Sequence, residues 1–360
     1  LNALNAETTG IINAASVTTL TGSAADVITA YAANTANTIS GLGNEALSLS
    51  GNTSVANQAT LDGKTTGIIT ATITEGDLAT LASLADANTN NALTVTVTDT
   101  SVAAAALNTL NGKTTVAVNA AAITTLTGSL SDVQTAYTAN DNSTISGLGN
   151  EAVTLSDTGS VVATLITTLA GDTSGAVRVN AGVTTLTGTM AEVQAVYDAT
   201  NVTIDGDEAV TASDTGSVAA TSITGLDAET SGVVTVNAGI TTLTGTMAEV
   251  QAAFDADEGA GVTGLDSDEA VTASDTGSVA ATSITGLDAE TSGVVTVNAG
   301  ITTLTGTMAE VQAAFDANDG AGVTGLDDTE AVTISDTTVA AADLNALNAE
   351  TTGIINAASV

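Results

Sequence analysis

Residues 207–256 read DEAVTASDTGSVAATSITGLDAETSGVVTVNAGITTLTGTMAEVQAAFDA, and the same fifty letters return as residues 268–317, 61 positions later. Looser copies begin near Leu1, Leu61, Leu107, Ile166, Ile223, Ile284 and Leu344. A period near sixty residues over a whole chain marks a repeat architecture, because each unit is too small to bury its own faces and leans on its neighbours. We therefore expect one continuous array over 1–360. Its repeats fall at about 1–60, 61–106, 107–165, 166–222, 223–283 and 284–343, with a partial copy at 344–360. The first seventeen residues, LNALNAETTGIINAASV, recur unchanged as 344–360, so the chain reads as a window on a longer array.

Each copy mixes extended and helical signals. In the copy starting at Ile223, residues 233–238 (VVTVNA) form a β-prone run between Gly232 and Gly239. The stretch GITTLTG then leads to Thr246, where TMAEVQAAFDA reads as a helix. Thr246 and Glu249 have the spacing of a capping box, in which each side chain bonds the other residue's free amide. Met247, Val250, Gln251 and Phe254 share one helical face. The box recurs as Thr189/Glu192 and Thr307/Glu310, and with a shorter acid as Ser129/Asp132, Ser23/Asp26 and Thr74/Asp77. A Gly- and Asp-rich turn (DADEGAGVTGLDSDE) follows, then a second strand at residues 270–275 (AVTASD). The next segment is plainly helical in SVAAAALNTLNGK and TVAAADLNALNAE, whereas Gly286 and β-branched residues weaken the same signal in SVAATSITGLDAETSG.

The expected unit is thus β–α–β–α, about 60 residues long, with two coils per unit. Connections of this length suit parallel crossovers rather than hairpins. The expected fold is a repeat solenoid: a parallel β-solenoid with short α-helices. About thirteen strands at ~4.8 Å spacing would give a continuous sheet of ~60 Å.

Composition narrows the chemistry. Hydrophobic residues make up 43% of the chain but aromatics only 1%, so the core is built from Ala, Val, Leu and Ile in thin layers. The formal charge is −37, and only Lys64, Lys113 and Arg178 are positive. Such a surface repels phosphate and anionic lipid, which argues against a nucleic-acid partner. Its natural counter-charges are cations, and one-signed charge also keeps a long apolar array soluble. No stretch is long and apolar enough to predict membrane insertion.

Cys and His are both absent. That removes Cys–His and Ser–His–Asp catalysis, disulfides and the usual zinc, haem and iron–sulfur sites. Paired acids such as Asp207/Glu208 and Asp268/Glu269 are adjacent in sequence and would face opposite ways in a strand, which is wrong for a glycosidase pair. The GKT strings at Gly63 and Gly112 lack the upstream Gly of a phosphate loop, since Gln58 and Leu107 stand there. We expect no enzyme activity.

The acidic turns are the candidate ligand sites. Asp255, Asp257, Glu258, Asp266 and Asp268 surround Gly259 and Gly261, and Asp316, Asp319, Asp327 and Asp328 repeat much of the pattern. Calcium favours several carboxylate and carbonyl oxygens on a flexible, Gly-containing loop, so Ca2+ is the cofactor these residues suggest. The spacing matches neither an EF-hand nor the calcium nonapeptide, and the rival reading is solvated surface loops. Thr94, Thr96 and Thr98 in LTVTVTD would share one sheet face, a ladder suited to an ice or mineral surface or simply a polar strand face.

The copies LDGKTTG, LNALNAETTG, ITTLTGS and ISGLGNEAVTLSDT resemble segments of very large, acidic, Cys-free tandem-repeat proteins of the cell surfaces and extracellular material of marine cyanobacteria and other aquatic bacteria. The resemblance is one of repeat style and spans nearly the whole chain. It implies a secreted, extracellular or cell-surface role and carries over no catalytic residue. The expectation is a structural protein of a surface layer, fibre or filament, partnered by itself, end-to-end or laterally, and by divalent cations. The alternative is the repeat region of an adhesin, with or without calcium stiffening, contacting a glycan, mineral or ice surface.

Overall fold

Residues 1–87, 91–358 and 360 are described by a computed structural model. The described residues form 27 short strands and 13 helices. All strand pairings are parallel, and the strands fall into seven sheets of two, four or five strands with no closed barrel among them. By chain contacts the molecule divides into two compact units. One comprises Leu1–Asp157, Leu165–Asn180 and Thr200–Thr203. The other comprises Thr158–Thr164, Ala181–Ala199 and Ile204–Val360.

The second unit contains both identical copies and shows the repeat most plainly. One five-stranded sheet runs Gly216–Ala219, Ile240–Gly245, Ala270–Ala273, Val295–Thr296, Val323–Thr324. Its register stacks Val218, Leu243, Val271, Val295 and Val323 in one inward column. Val218 is 8% exposed and the other four are fully buried. Burying each such side chain contributes roughly 1.5–3 kcal/mol. The residues one place on, Ala219, Thr244, Thr272, Thr296 and Thr324, form the outward column. Strand alternation explains the pattern VT repeated in sequence: Val to the core, Thr to water.

This sheet begins in one repeat, runs through the next and ends in the one after, and the chain alternates between sheets as it goes. Val234–Thr235 joins a sheet that started at Gly159–Val162, while the following strand, Ile240–Gly245, joins the one that started at Gly216–Ala219. Gly277–Ala280 then opens a further sheet. The sequence expectation of two strands per unit and one continuous sheet is therefore too simple. A repeat contributes five strands, including ITTLTG, GSVA and a second VT at Val262–Thr263. These were hidden because each is only two to six residues long and abuts a glycine or a helix start.

The helices start where the capping signals place them. Thr189, Thr246 and Thr307 each cap a helix with both bonds of the box formed. At Ser23 and Ser129 the shorter Asp cannot reach the cap amide, and it instead accepts the cap hydroxyl. Thr74/Asp77 is a correction: the short helix there is Leu78–Leu81, and Asp77 is itself the cap, accepting from Thr80 N. The weak segment is helical as Ala281–Glu290 despite Gly286, because Ala281, Ile284 and Leu287 are fully buried at helical spacing. Tertiary burial outweighs the ~1 kcal/mol cost of a mid-helix Gly.

The first unit repeats the plan with Val102, Leu126, Val153, Val177 and Val202 in register across five strands. In LTVTVTD, Thr94, Thr96 and Thr98 are exposed while Leu93, Val95 and Val97 are buried, so the predicted alternation holds. Regular pairing there is confined to Ala92–Thr94, with an isolated bridge at Thr96. No helix among the described residues is long and apolar enough to cross a membrane.

Candidate functional site: acidic turns over buried glutamates

The most unusual chemistry lies at the foot of the turn that leads into each AVT strand. Glu45, Glu151, Glu208, Glu269 and Glu330 occupy equivalent places and are 0–3% exposed. A bare buried carboxylate is costly, so each folds back on its own turn to accept amide hydrogens. Gly43 N donates to Glu45, Gly149 N to Glu151, Gly206 N to Glu208, Asp266 N to Glu269 and Asp327 N to Glu330, all within 2.8–3.1 Å. The backbone of each glutamate is clamped too. Thr291 Oγ donates to the Glu269 carbonyl at 2.7 Å and accepts Gly293 N at 2.9 Å, and Thr173, Thr230 and Thr351 repeat both bonds. Gly293 lies so close that a Cβ there would sit 2.5 Å from the Glu269 carbonyl carbon and oxygen. The same close approach to the backbone of the glutamate recurs at Gly67, Gly175, Gly232 and Gly353, which explains the glycine closing these TSG and TTG stretches.

The preceding helix carries a ring whose identity differs between the copies, and in two of them it reaches the carboxylate. Tyr31 donates its hydroxyl to Glu45 at 2.8 Å, and Tyr137 donates to Glu151 at 3.1 Å. Burial, reinforced by the neighbouring carboxylate, pushes both phenols above the ordinary tyrosine range. In the two identical copies the same helical place holds Phe254 and Phe315. There Glu269 Oε2 and Glu330 Oε2 are buried with no hydrogen-bond partner among the described residues, as are Glu151 Oε1 and the hydroxyl of Tyr197 in other copies. All three basic residues of the chain lie in the first unit, so the second unit has no Lys or Arg to pair with these carboxylates.

A second set of acids holds helices. Asp214 Oδ2 accepts Met190 N, Asp275 accepts Met247 N and Asp336 accepts Met308 N, at 2.6–2.7 Å. Asp157 does the same for Leu130 N, and Asp99 for Leu78 N. The acid belongs to the SDT or TDT that follows a strand, and the amide begins the helix preceding that strand. A negative group there satisfies an otherwise orphaned amide and complements the helix dipole.

The nine sequence-nominated acids are dispersed around these turns. Asp255 and Asp316 are exposed and accept from Gln251 and Gln312 one helical turn earlier. Asp257 accepts Leu265 N at 3.3 Å, the bond that Asn34 and Asn140 make to Leu42 N and Leu148 N in other copies. Its role is that of an asparagine anchoring the turn. Glu258, Asp266, Asp268, Asp319 and Asp328 are exposed. Asp327 accepts the hydroxyl and amide of Thr329, which hold its carboxyl below the usual carboxylate range. Among the described residues no three acidic side chains converge as metal ligands. The adjacent acids do diverge as strand logic suggested: Asp268 faces water and Glu269 faces the core. Sequence reasoning treated Glu208 and Glu269 only as halves of adjacent acid pairs, because the signal of the recurring glutamate is positional, a single Glu before every AVT or ALS, rather than a cluster.

The arrangement offers latches between successive stretches of chain. Comparison with protein-family models, with curated proteins and with solved structures found no match to this chain.

Proposed function

We propose that this chain is a parallel β-solenoid whose coils stack to form a secreted structural element of a cell-surface layer, fibre or extracellular filament. The observation that carries the reading is the course of the hydrogen-bonded ladders. The five-stranded sheet from Gly216–Ala219 to Val323–Thr324 draws its strands from three successive repeats, so one repeat's edge is the next repeat's partner. Cohesion of this kind grows by adding copies and needs no catalytic group. The acidic exterior sets the spacing between assemblies, and divalent cations bridge them. Solution scattering over a range of protein concentrations tests the reading. Elongated particles that lengthen with concentration support it, and a compact particle of monomer mass at every concentration contradicts it.

An adhesive role is the second reading, and the outward threonine columns favour it. Thr211, Thr235 and Thr263 are consecutive and exposed on one sheet, and Thr272, Thr296 and Thr324 on the next. Such a file presents hydroxyls at the strand spacing of ~4.8 Å to a flat glycan, mineral or ice surface. Retention of the chain on such a surface, lost when Thr272, Thr296 and Thr324 become Val, would favour this reading over a purely structural one.

A further inference from the structure

Each helix that opens at a capping box packs against the helix that follows it, and a groove stays open between the two. Between Met190–Asp198 and Ala220–Glu229 the groove has a volume of about 470 Å3 and is lined by Met190, Ala191, Gln194, Ser222, Gly225 and Glu229. Between Met247–Glu258 and Ala281–Glu290 it has about 240 Å3 and is lined by Met247, Ala248, Gln251, Thr282 and Ser283. Its counterpart at Met308 and Gln312, of about 410 Å3, has Asp343 where the others have Ser222 and Ser283. All three lie in the second unit.

Two residue choices leave this space open. Gly225 and Gly286 sit mid-helix, where glycine is a poor helix former. Packing does not demand them. The nearest atom to a Cβ added at Gly225 is Gln194 Oε1 at 3.8 Å, and at Gly286 it is Gln251 Oε1 at 3.7 Å, both ordinary contacts. Ser222 and Ser283 are as small as the site allows without losing a hydroxyl. The first-unit copy of this helix, Ala163–Asp172, has Leu165 and Thr168 in the places of Ser222 and Gly225.

The groove presents acceptors. Gln251 uses its amide hydrogens to hold two carboxylates, Asp255 at 3.0 Å and Glu290 at 3.1 Å. Its Oε1 faces Gly286 and accepts no bond among the described residues. Gln194 likewise donates to Asp198 at 3.1 Å, with its Oε1 toward Gly225. Beside these oxygens Met190 and Met247, each 2% exposed, and Ala191 and Ala248 form an apolar wall. The second unit has no Lys or Arg of its own to meet them.

We infer that these grooves take the lysine side chains of an extended basic polypeptide, one lysine to a groove. The methylene stem lies along Met and Ala, and the ammonium, with three donors and no acceptor, meets the glutamine oxygen and the carboxylates. The strands set the spacing. Val183–Gly188 pairs with Ala209–Ala212, and the chain then runs on into Gly216–Ala219, the partner of Ile240–Gly245. The strands that lead into the helices at Met190 and Met247 are therefore two pairing steps apart, ~10 Å. Three residues of extended chain span ~10 Å as well, so a lysine at every third residue reaches successive grooves. The inference needs a single chain and stands apart from the stacking reading.

The probe is a peptide of four Lys-Ser-Gly units, beside an isomer of the same composition with its lysines contiguous. Titration calorimetry at one fixed ionic strength measures the binding of each to the full chain. Ser222→Leu, Gly225→Thr, Ser283→Leu and Gly286→Thr together install the first-unit residues, fill the grooves and change no charge. The combined variant should bind the spaced peptide about tenfold more weakly than the wild type, the scale of two half-exposed ion pairs, and the contiguous isomer equally well. A second comparison does not depend on that variant folding. Glu229→Gln with Glu290→Gln removes charge at the grooves, and Asp266→Asn with Asp268→Asn removes the same charge from an exposed turn. The first pair should weaken the spaced peptide more than the second. Equal losses in this comparison, or a filled variant that binds the spaced peptide as the wild type does, would overturn the inference, because the acidic surface as a whole would then be holding the peptide. Binding of dextran that depends on the open grooves, with no preference for the spaced peptide, would overturn it in favour of a glycan.

Discussion

The carboxylate of Asp275 accepts the backbone N–H of Met247 at 2.7 Å across 28 residues of chain. Met247 opens a helix whose cap, Thr246, already has both bonds of its capping box. Asp275 therefore satisfies an amide that the local cap leaves over, and ties the helix to the strand that follows it. Asp275→Ala is expected to destabilise the fold by about 1 kcal/mol, the usual scale for losing a capping side chain. Asp275→Asn should lose less, because the amide oxygen still accepts while the charge–dipole part goes. Urea unfolding of the three chains checks this, and equal stability of wild type and Asp275→Ala would remove the latch from the account.

Much of this architecture is legible before any coordinates. The repeat, the parallel course, the Val-in and Thr-out alternation and the capped helices at Thr189, Thr246 and Thr307 all follow from periodicity and local hydrogen-bond chemistry. The short strands do not, because two residues such as Val262–Thr263 have no period to detect. Their strand character comes from pairing with Val234–Thr235, a partner distant in sequence. The acids mislead for a related reason. Nearness along the chain put Asp266 and Asp268 together, whereas the fold uses Glu269 and Asp275, whose partners are remote or lie in the backbone.

The Tyr-to-Phe exchange above the buried glutamates gives a second test. Tyr137→Phe removes the hydroxyl that Glu151 accepts and should cost about 1 kcal/mol, the net worth of a buried hydrogen bond. Phe254→Tyr offers Glu269 the donor that its Oε2 lacks and should stabilise by a similar amount. Thermal unfolding of both variants measures the two shifts, which should have opposite signs. Destabilisation by Phe254→Tyr would mean that the added hydroxyl is overpacked rather than bonded.

Gly293 marks the closest approach of two backbones in this turn. Gly293→Ala drives a methyl against the Glu269 peptide and should cost about 1–3 kcal/mol, the range for overpacking a tight site. Gly277→Ala has open space around its Cβ, but its φ of +78° makes it strained for a different reason. Gly171→Ala, with nothing within 4 Å and no such φ, serves as the neutral comparison. Denaturant midpoints should fall for Gly293→Ala and hold or rise for Gly171→Ala.

The buried phenols predict an alkaline limit. Tyr31 and Tyr137 titrate above their unfolded value because burial disfavours the phenolate, and the nearby carboxylate adds to it. The fold therefore favours the neutral form. That contribution is complete below about pH 10, the ordinary tyrosine value, and is lost progressively as pH rises beyond it. Stability of the wild type should be level from about pH 8 and fall above about pH 10, and the Tyr31→Phe/Tyr137→Phe double variant should show a shallower fall. Identical alkaline slopes for the two chains would contradict it.

The central claim is that each repeat rests on its neighbours through one recurring set of contacts, so that whole copies are interchangeable. Removing residues 223–283 joins Ser222 to Ile284, a residue that occupies the same place in the next copy, and every ladder keeps its register. Deleting Val233 and Val234 alone takes out the fully buried Val234 and shifts everything after it. The measurement is the thermal unfolding of these two deletion chains beside the full chain. The account predicts a cooperative transition close to that of the full chain for the 61-residue deletion, and a markedly lower or broadened one for the two-residue deletion. A 61-residue deletion that unfolds the chain as badly as the two-residue one would contradict it.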